Sequence, residues 1–421
     1  MSVGAVLRDW KTASIAYAVV RIAGVVGVSP VRFNDSAGYM HVDLVRPSLR
    51  TWPVPLVYGL LGNDANRVIA QAVIGCLCWV LFAALATRDC RFPATLRAVV
   101  LLVGLAPQVT RFDSAILSES LAISSAVLLA ATLIGVSRSR AWRVPALLAW
   151  AFFVFVRPEN LVVGAVVGGA ALLLVVLRRR VPAAAAAVII VGLVGLQYLG
   201  SVSTVRDLNM YTVLATRVMN DSARYAWFVE RGMPNIPGIR YVDGYDYAVT
   251  VPREIREYLR IPDEQDVPAI VPAGGMELAR WVHTEAWRTY AHRLLTHPGE
   301  TWDLVSSYLG PSLDARAHTF LPTTNRAIVP DWVFGKWQWW ALATVAGLLS
   351  LLLVSRGRQF VVVSALTAMT CFLFPLVTAS SGIEQQRHAA VVAVMLRLCA
   401  LSALSLGASV TREQGPDEQV R

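Results

Sequence analysis

Charged side chains interrupt the apolar runs of this sequence at a few places, and their types suit acid–base and phosphate chemistry. Asp35 and Glu119 are carboxylates that could accept a proton from a hydroxyl group. Arg157 and the Arg387-His388 pair are cationic, and a guanidinium recognises phosphate oxygens with a fixed bidentate fork. Further polar candidates for the same pocket are Tyr39, Asp43, Arg46, Asp113 and Glu159. The residue types predict a polar pocket that combines a base with cationic groups.

Each of these groups also has a purely structural interpretation. Asp35 precedes a short segment that could begin a helix, so it could be a helix N-cap. Glu119 could simply favour the positive end of the long apolar helix that it opens. The cations could pair internally with Glu159 and Glu384. Sequence position leaves these alternatives open.

The elements that must position these groups are apolar helices. Of the 421 residues 56% are hydrophobic and only 16% are charged, whereas soluble domains are about 25% charged. A helix needs about 20 apolar residues to cross a bilayer. The pattern therefore predicts an all-α polytopic membrane protein with about ten transmembrane helices. The ten segments are 13–29, 67–87, 96–109, 117–136, 144–157, 159–177, 182–200, 333–354, 360–378 and 388–408.

Basic turns orient these segments. Short turns rich in arginine follow alternate spans, at 87–96, 137–143, 178–182 and 355–359, and the positive-inside rule assigns them to the cytoplasm. Both termini are then cytoplasmic, the protein is expected in the plasma membrane, and the polar groups share the extracytoplasmic face. The chain divides into an N-terminal transmembrane module (1–200) with a catalytic first outer loop (30–66), an extracytoplasmic cap (201–332), C-terminal helices (333–408) and a cytoplasmic tail expected to be disordered (409–421). Within the cap, 277–295 has the apolar period of an amphipathic helix.

The basic charge of the chain fits a membrane protein better than a nucleic-acid-binding one. The formal net charge is +10, and arginines anchor the cytoplasmic turns. No basic tract interleaved with aromatic residues is typical of a nucleic-acid module, so nucleic acid is not an expected partner. Arg21 and Arg397 lie inside apolar segments, where an arginine facing lipid costs about 2.5–3.5 kcal/mol. We expect both to face the bundle interior or to snorkel.

Short motifs follow one another in order along most of the chain. They are Asp35-x-x-x-Tyr39 with Arg46-Pro47, Leu105-Ala106-Pro107 leading to Leu117-Ser118-Glu119-Ser120-Leu121, the corner Val156-Arg157-Pro158-Glu159, Leu294-Leu295-Thr296-His297-Pro298, and Arg387-His388 before the last span. Together they resemble the GT-C superfamily of integral-membrane glycosyltransferases, most closely the protein mannosyltransferases and the lipid A aminoarabinose transferases. Protein mannosyltransferases carry an acidic pair in the first loop, whereas Asp35 is followed by Ser36. This difference favours a lipid-linked or cell-wall glycan over protein as the acceptor.

The resemblance implies an inverting transfer of a sugar from a polyprenyl-phosphate carrier to an extracytoplasmic acceptor hydroxyl. Asp35 would be the general base and Glu119 a second catalytic carboxylate. Glu119 and Asp113 would orient sugar hydroxyls or Asp35 itself. Arg157, Arg387 and His388 would hold the departing phosphate. Because the phosphate leaves with cationic help, no metal or other cofactor is required. The implied partners are the donor lipid, a glycan, glycolipid or protein acceptor, and membrane lipids, and the implied substrate contacts are Tyr39, Asp43, Arg46, Asp113 and Glu159.

Other functions could use the same residues. A transporter or flippase of lipid-linked sugars could bind its cargo in this pocket without chemistry. A polymerase or ligase of lipid-linked glycans would carry out glycosyl transfer with a diphosphate leaving group. A non-catalytic membrane assembly subunit is a further alternative. Transporters often show paired halves, and no internal repeat is visible in this sequence.

Overall fold

Helices make up the part of the protein that the structure describes. The computed structural model describes residues 10–40, 50–177, 203–235, 275–314, 329–354, 357–382 and 385–408, together with Gly192 and Gly195. Within these residues there is no β-strand, only an isolated parallel bridge between Val31 and Ala115. The expected all-α fold is confirmed for the described residues.

The described helices overlap the apolar segments, although the first and fourth helices end at Ala23 and Gly104, before the expected ends at 29 and 109. In chain order the α-helices are α1 (Trp10–Ala23), α2 (Pro53–Leu61), α3 (Asp64–Thr87), α4 (Pro93–Gly104), α5 (Pro107–Thr110), α6 (Glu119–Arg138), α7 (Arg143–Val156), α8 (Pro158–Leu177), α9 (Ser203–Val213), α10 (Ser222–Val229), α11 (Gly275–Trp281), α12 (Trp287–Thr296), α13 (Pro298–Ser307), α14 (Leu309–Leu313), α15 (Trp337–Leu353), α16 (Gly357–Ser380), α17 (Gln385–His388) and α18 (Ala390–Gly407). Short 3₁₀ helices occupy Asn34–Tyr39, Arg111–Ser114, Arg140–Trp142 and Asp331–Phe334, and π-helical turns occupy Leu214–Val218 and Val282–Ala286.

Several helices are long and apolar enough to cross a membrane. Within the described residues there are four, namely α3, α6, α16 and the continuous stretch Gln385–Gly407. A fifth arises if α4 and Pro107–Ser114, which are bent by 48° relative to each other, count as one span. The protein is therefore a helical membrane protein in the part of the chain that the structure describes. Helices α1, α7 and α15 have only 14, 14 and 17 residues, and segment 182–200 lies outside the described residues apart from Gly192 and Gly195.

Helices α6 and α18 form the centre of the bundle. Both are buried along most of their length, and α6 packs against α3, α7, α16 and α18. Small side chains permit close approach where α15 crosses α18. A Cβ added at Gly347 would lie 2.5 Å from the Cβ of Ala403. In contrast, Leu342, Leu349 and Leu352 on α15 are more than half exposed, which is the pattern of a lipid-facing stripe.

The two arginines inside apolar segments face the bundle interior, as expected. Arg21 is 2% exposed and Arg397 is 0% exposed. Arg397 donates to the backbone carbonyls of Leu313 at 2.7 Å and Gly335 at 2.9 Å, and its guanidinium lies 3.9 Å from the ring centroid of Phe334. The carbonyl dipoles therefore stabilise the buried positive charge, and the same hydrogen bonds hold the segments that contain Leu313 and Gly335 against α18.

The described residues of the expected cap have a hydrophobic core of their own. This second core combines α9 to α12 and includes Tyr211, Leu214, Phe228, Val282 and Tyr290. The expected amphipathic helix over 277–295 is confirmed as a continuous helical stretch, interrupted by the π-helical turn at Val282–Ala286. Arg217 fastens this unit to the end of α16, because it donates to the carbonyls of Thr378 and Ala379 at 2.6 and 2.8 Å.

Candidate functional site

Several of the residues singled out in the sequence lie together where three chain segments meet. The segments are the first turn of α6, the junction between α7 and α8, and the short helix α17 that precedes α18. Ion pairs and hydrogen bonds connect their side chains directly. We call this group the charged cluster, and it consists of Glu119, Arg157, Glu159, Arg387 and His388.

Local sequence explains how the α7–α8 corner presents its charges. A residue before proline avoids the α-helical conformation, and Arg157 has an extended backbone with φ −143° and ψ 145°. Helix α7 therefore ends at Val156, and Pro158 starts α8, where its missing amide hydrogen costs nothing. The break turns the Arg157 side chain back into the protein, where it is 4% exposed.

Glu119 joins the two arginines of the charged cluster. Its Oε1 accepts from Arg157 Nη1 at 3.5 Å and lies 3.2 Å from Arg387 Nε. All three residues are at most 6% exposed. The second oxygen, Oε2, is buried and makes no hydrogen bond. An unsatisfied buried acceptor costs about 1–3 kcal/mol, so this oxygen is suited to receive a hydroxyl or amine hydrogen from a ligand.

Glu159 and His388 surround the other side of Arg157. Arg157 Nε lies 3.3 Å from Glu159 Oε2, and Arg157 Nη2 lies 3.4 Å from Glu159 Oε1. His388 Nδ1 is 2.6 Å from Arg157 Nη2 and 3.1 Å from Glu159 Oε1. The internal pairing with Glu159 that the sequence left open is therefore present. With a neutral imidazole, two carboxylates balance two guanidinium groups in the charged cluster.

The 3₁₀ helix that contains Asp35 lies against the residues that lead into α6. The amide of Val31 donates to the carbonyl of Ser114 at 3.0 Å, and the amide of Ile116 donates to the carbonyl of Val31 at 2.9 Å. Ser36 Oγ donates to the carbonyl of Ile116 at 2.7 Å. The Tyr39 hydroxyl is 3.2 Å from Ser118 Oγ, one residue before Glu119. The structure thus holds the backbone around Asp35 beside the charged cluster. The side chain of Asp35, together with Asp43 and Arg46, lies outside the described residues.

Three side chains that no motif pointed out support this region. Gln71 on α3 donates to the carbonyls of Asp113 and Ala115, both at 3.1 Å, and Tyr58 donates to the carbonyl of Leu117 at 2.6 Å. They satisfy irregular backbone that is buried inside the bundle. The guanidinium of Arg50 lies 4.8 Å from the ring centroid of Tyr39. The sequence feature that could have identified Gln71 as a supporting residue is its single amide side chain within an apolar helix.

Asp113 lies outside the charged cluster in a buried ion pair with Arg21, and its expected role as a substrate contact stays a prediction. Its Oδ2 accepts from Arg21 Nε at 2.9 Å, and its Oδ1 accepts from Arg21 Nη2 at 3.1 Å and from Ser120 Oγ at 2.6 Å. Asp113 is 0% exposed, so both oxygens are engaged within the protein. Through Ser120 this pair instead fixes the turn that carries Glu119.

Comparisons with known proteins identify no relative. No family model matches the chain, and neither a curated protein nor a solved structure matches it. Among the described side chains, no group of three or more His, Cys, Asp or Glu is arranged to hold a metal ion. The resemblance of the motifs to the GT-C superfamily stays a prediction, and function is inferred from the charged cluster and its surroundings.

Proposed function

We propose that the protein is a GT-C-type membrane glycosyltransferase that moves a sugar from a polyprenyl-phosphate carrier to an acceptor hydroxyl, with inversion. One observation carries this proposal: two buried arginines, Arg157 and Arg387, converge on a single oxygen of Glu119. They do so beside the 3₁₀ helix that contains Asp35. Buried charges in a membrane protein are costly, which makes such a concentration a mark of function.

The geometry of the arginines suits a phosphate group. Because Arg157 Nη1 and Arg387 Nε both lie within 3.5 Å of the same carboxylate oxygen, one tetrahedral phosphate could bridge the two guanidinium groups. Glu119 holds them in position before the donor arrives. In a site with little water, donors positioned in advance stabilise the charge that develops on a leaving phosphate.

The proposed reaction needs a base and a group that orients the sugar. Asp35 removes the proton from the acceptor hydroxyl, and the resulting oxygen attacks the anomeric carbon from the face opposite the phosphate. The bond between the anomeric carbon and the phosphate oxygen breaks, and its electron pair leaves with the polyprenyl phosphate. The unpartnered Oε2 of Glu119 is suited to accept a hydrogen bond from a sugar hydroxyl.

The proposal includes a placement in the membrane. The apolar segments support about ten spans, and the arginine-rich turns support cytoplasmic termini and an extracytoplasmic site in the plasma membrane. A donor phosphate at the outer interface would meet the charged cluster at the ends of α6 and α17, with its prenyl chain among membrane lipids. Protein mannosyltransferases carry an acidic pair in the first loop, whereas Asp35 is followed by Ser36, and this difference favours a lipid-linked or cell-wall glycan as the acceptor.

A transfer assay with Asp35→Asn tests the proposal. Membranes that contain the protein are incubated with a panel of radiolabelled polyprenyl-phosphate sugars, and label is followed from carrier to lipid, glycan and protein fractions. General bases contribute about 10²–10⁴-fold, so Asp35→Asn should lower transfer by at least about 100-fold while folding is unchanged. Asp303→Asn, an exposed acid on α13, is the matched control and should retain full transfer.

Two outcomes would contradict the proposal. Full transfer by Asp35→Asn would remove the base assignment. If the wild-type protein transfers no sugar from any member of the panel, and labelled carrier instead crosses the bilayer intact, the protein is a transporter of lipid-linked sugars. Arg157→Ala separates the roles further, since loss of a phosphate contact should raise the KM for the donor more than the KM for the acceptor.

A further inference from the structure

Arginines are concentrated where two turns of the bundle lie side by side. The turn between α3 and α4 and the turn between α6 and α7 hold six of them within 88–97 and 138–143, with Asp89 as the one acidic residue. Arg138 joins the two turns, because its Nη1 donates to the carbonyl of Leu85 and its Nε lies 3.1 Å from Asp89 Oδ2. We call this group the arginine surface, and its exposed members are Arg88, Arg91, Arg140 and Arg143.

The exposed arginines carry positive charge that the neighbouring side chains do not balance. Asp89 is already paired with Arg138, and in the part of the chain that the structure describes none of the four exposed arginines forms an ion pair. The positive end of α4 opens at the same place, since Pro93 begins that helix and the side chain of Phe92 does not cap it. Six arginines and one aspartate leave a formal charge of +5, so this surface attracts anions.

Apolar side chains border the arginine surface. Phe92, Val144 and Leu148 are 63%, 66% and 66% exposed, and the last two lie one turn apart on α7. The guanidinium of Arg91 lies 5.4 Å from the ring centroid of Phe92. Exposed cations beside exposed apolar side chains match a phospholipid, whose charged headgroup adjoins its acyl chains, better than they match a water-soluble anion or an acidic protein.

The position of the arginine surface along the bundle also indicates lipid headgroups. Helix α6 begins at Glu119 in the charged cluster and ends at Arg138 in the arginine surface. Its 20 residues extend over about 30 Å, which is the thickness of the hydrocarbon core of a bilayer. The charged cluster and the arginine surface are therefore separated by one membrane thickness, and each lies at the level of the headgroups of a different leaflet.

We propose that the arginine surface is a binding site for anionic phospholipids. The exposed arginines contact the lipid phosphates with their guanidinium groups, and Phe92, Val144 and Leu148 contact the adjoining acyl chains. The positive-inside rule needs no particular lipid, whereas this site selects anionic lipids in the folded protein. The proposal does not depend on sugar transfer, because the charged cluster lies at the other end of α6.

Native mass spectrometry of the full-length protein tests this proposal. The protein in detergent is titrated with equimolar phosphatidylglycerol and phosphatidylcholine that carry the same acyl chains. An arginine near an anionic lipid surface contributes about fivefold to binding, so we expect the first phosphatidylglycerol to bind at least about tenfold more tightly than phosphatidylcholine. Replacing two exposed arginines, in Arg91→Ala/Arg140→Ala, should weaken phosphatidylglycerol binding by about 25-fold.

Two matched variants separate the site from the overall charge of the protein. Arg91→Lys/Arg140→Lys keeps both charges and should retain most of the preference for phosphatidylglycerol. Arg231→Ala/Arg288→Ala removes two exposed arginines that lie beside Glu230 and Glu285, and it should bind phosphatidylglycerol like the wild type. An equal loss in this control would attribute the effect to net charge and would overturn the proposal.

Photo-cross-linking in vesicles locates the lipid on the wild-type protein, so it does not depend on how a variant folds. The protein is reconstituted in phosphatidylcholine with a small fraction of photoactivatable phosphatidylglycerol, and the labelled peptides are identified after digestion. We expect labels within 88–97 and 138–148. Labels confined to other segments, equal binding of the two lipids, or unchanged binding by Arg91→Ala/Arg140→Ala would each contradict the proposal. A dimer that retains no phosphatidylglycerol would also overturn it, since the arginine surface would then be a contact between two copies of the chain.

Discussion

The buried pair of Arg21 and Asp113 offers a quantitative test of how the site is held. We consider three variants: Arg21→Met, Asp113→Asn and the combination of both. Arg21→Met leaves a carboxylate that is fully buried with only Ser120 as a donor. Asp113→Asn leaves a buried guanidinium facing a neutral amide. In the double variant neither charge remains.

The magnitude follows from the burial and geometry of the pair. Two parallel hydrogen bonds of 2.9 and 3.1 Å join side chains that are 1% and 0% exposed. Removing one partner of such a pair costs about 3–5 kcal/mol, because the other charge stays in a medium that solvates it poorly. The double variant removes both charges. Its free energy of unfolding should therefore exceed the value obtained by adding the two single losses by about 1–3 kcal/mol.

Reversible unfolding in mixed detergent micelles, followed by tryptophan fluorescence, measures the four free energies of unfolding in this cycle. Ser120→Ala is the matched control, since it removes one neutral donor 2.6 Å from Asp113 and should cost only about 1 kcal/mol. Losses that add within about 0.5 kcal/mol would show that the pair is not coupled and would refute its assignment as the support of the Glu119 turn. A single variant that is as stable as the wild type would do the same.

Three further predictions concern other parts of the molecule. Arg387→Lys keeps the charge but loses the guanidinium fork, so we expect the donor KM in a transfer assay to rise by about tenfold or more with the acceptor KM unchanged; equal effects on both would contradict a phosphate contact. Gly347→Ala should lower the free energy of unfolding by about 1–3 kcal/mol, because the added Cβ would lie 2.5 Å from the Cβ of Ala403, whereas Gly299→Ala meets nothing within 4 Å and should not have this effect. The side chain of Asp221 caps α10 by accepting a hydrogen bond from a backbone amide in the first turn of that helix, and this bond lowers the pKa of the carboxyl group. The ionised cap therefore stabilises α10 above the usual pKa of an aspartate, and this stabilisation is lost as the pH falls through the lowered pKa. Hydrogen exchange of the α10 amides should show a loss of about 1 kcal/mol in Asp221→Ala at neutral pH, and Asp221→Asn should remove the acid dependence while keeping the cap.

Long-range patterns of charge and apolarity in the sequence were sufficient to predict much of the site. Hydrophobic segments of sufficient length can form only helices in a membrane, and basic turns fix which helix ends share a face. Glu119, Arg157 and Arg387 each stand at such an end, so their convergence follows from topology once the helices form. The interior position of Arg21 and Arg397 follows from the cost of exposing them to lipid.

Other features depend on contacts that no local pattern encodes. Asp113 and Arg21 are 92 residues apart, and nothing near either residue indicates that they pair. The support of buried irregular backbone by Gln71 and Tyr58 likewise becomes visible only when α3 lies against residues 113–117. The π-helical turn at Val282–Ala286 keeps an apolar face through a helix whose period alone predicts a regular α-helix. The sequence pattern also does not determine the lengths of the helices, because tilt and packing decide where a short apolar helix ends.

Residues 115–118 connect a 3₁₀ helix to α6, and side chains from distant segments donate to the carbonyls of Ala115, Ile116 and Leu117. Such a stretch has a fixed length. Adding or deleting one residue would rotate Glu119 by about 100° around the axis of α6 and carry its carboxylate away from both arginines. Over evolutionary time, insertions and deletions should therefore be excluded from these four positions, while loops on the far side of the bundle remain free to vary.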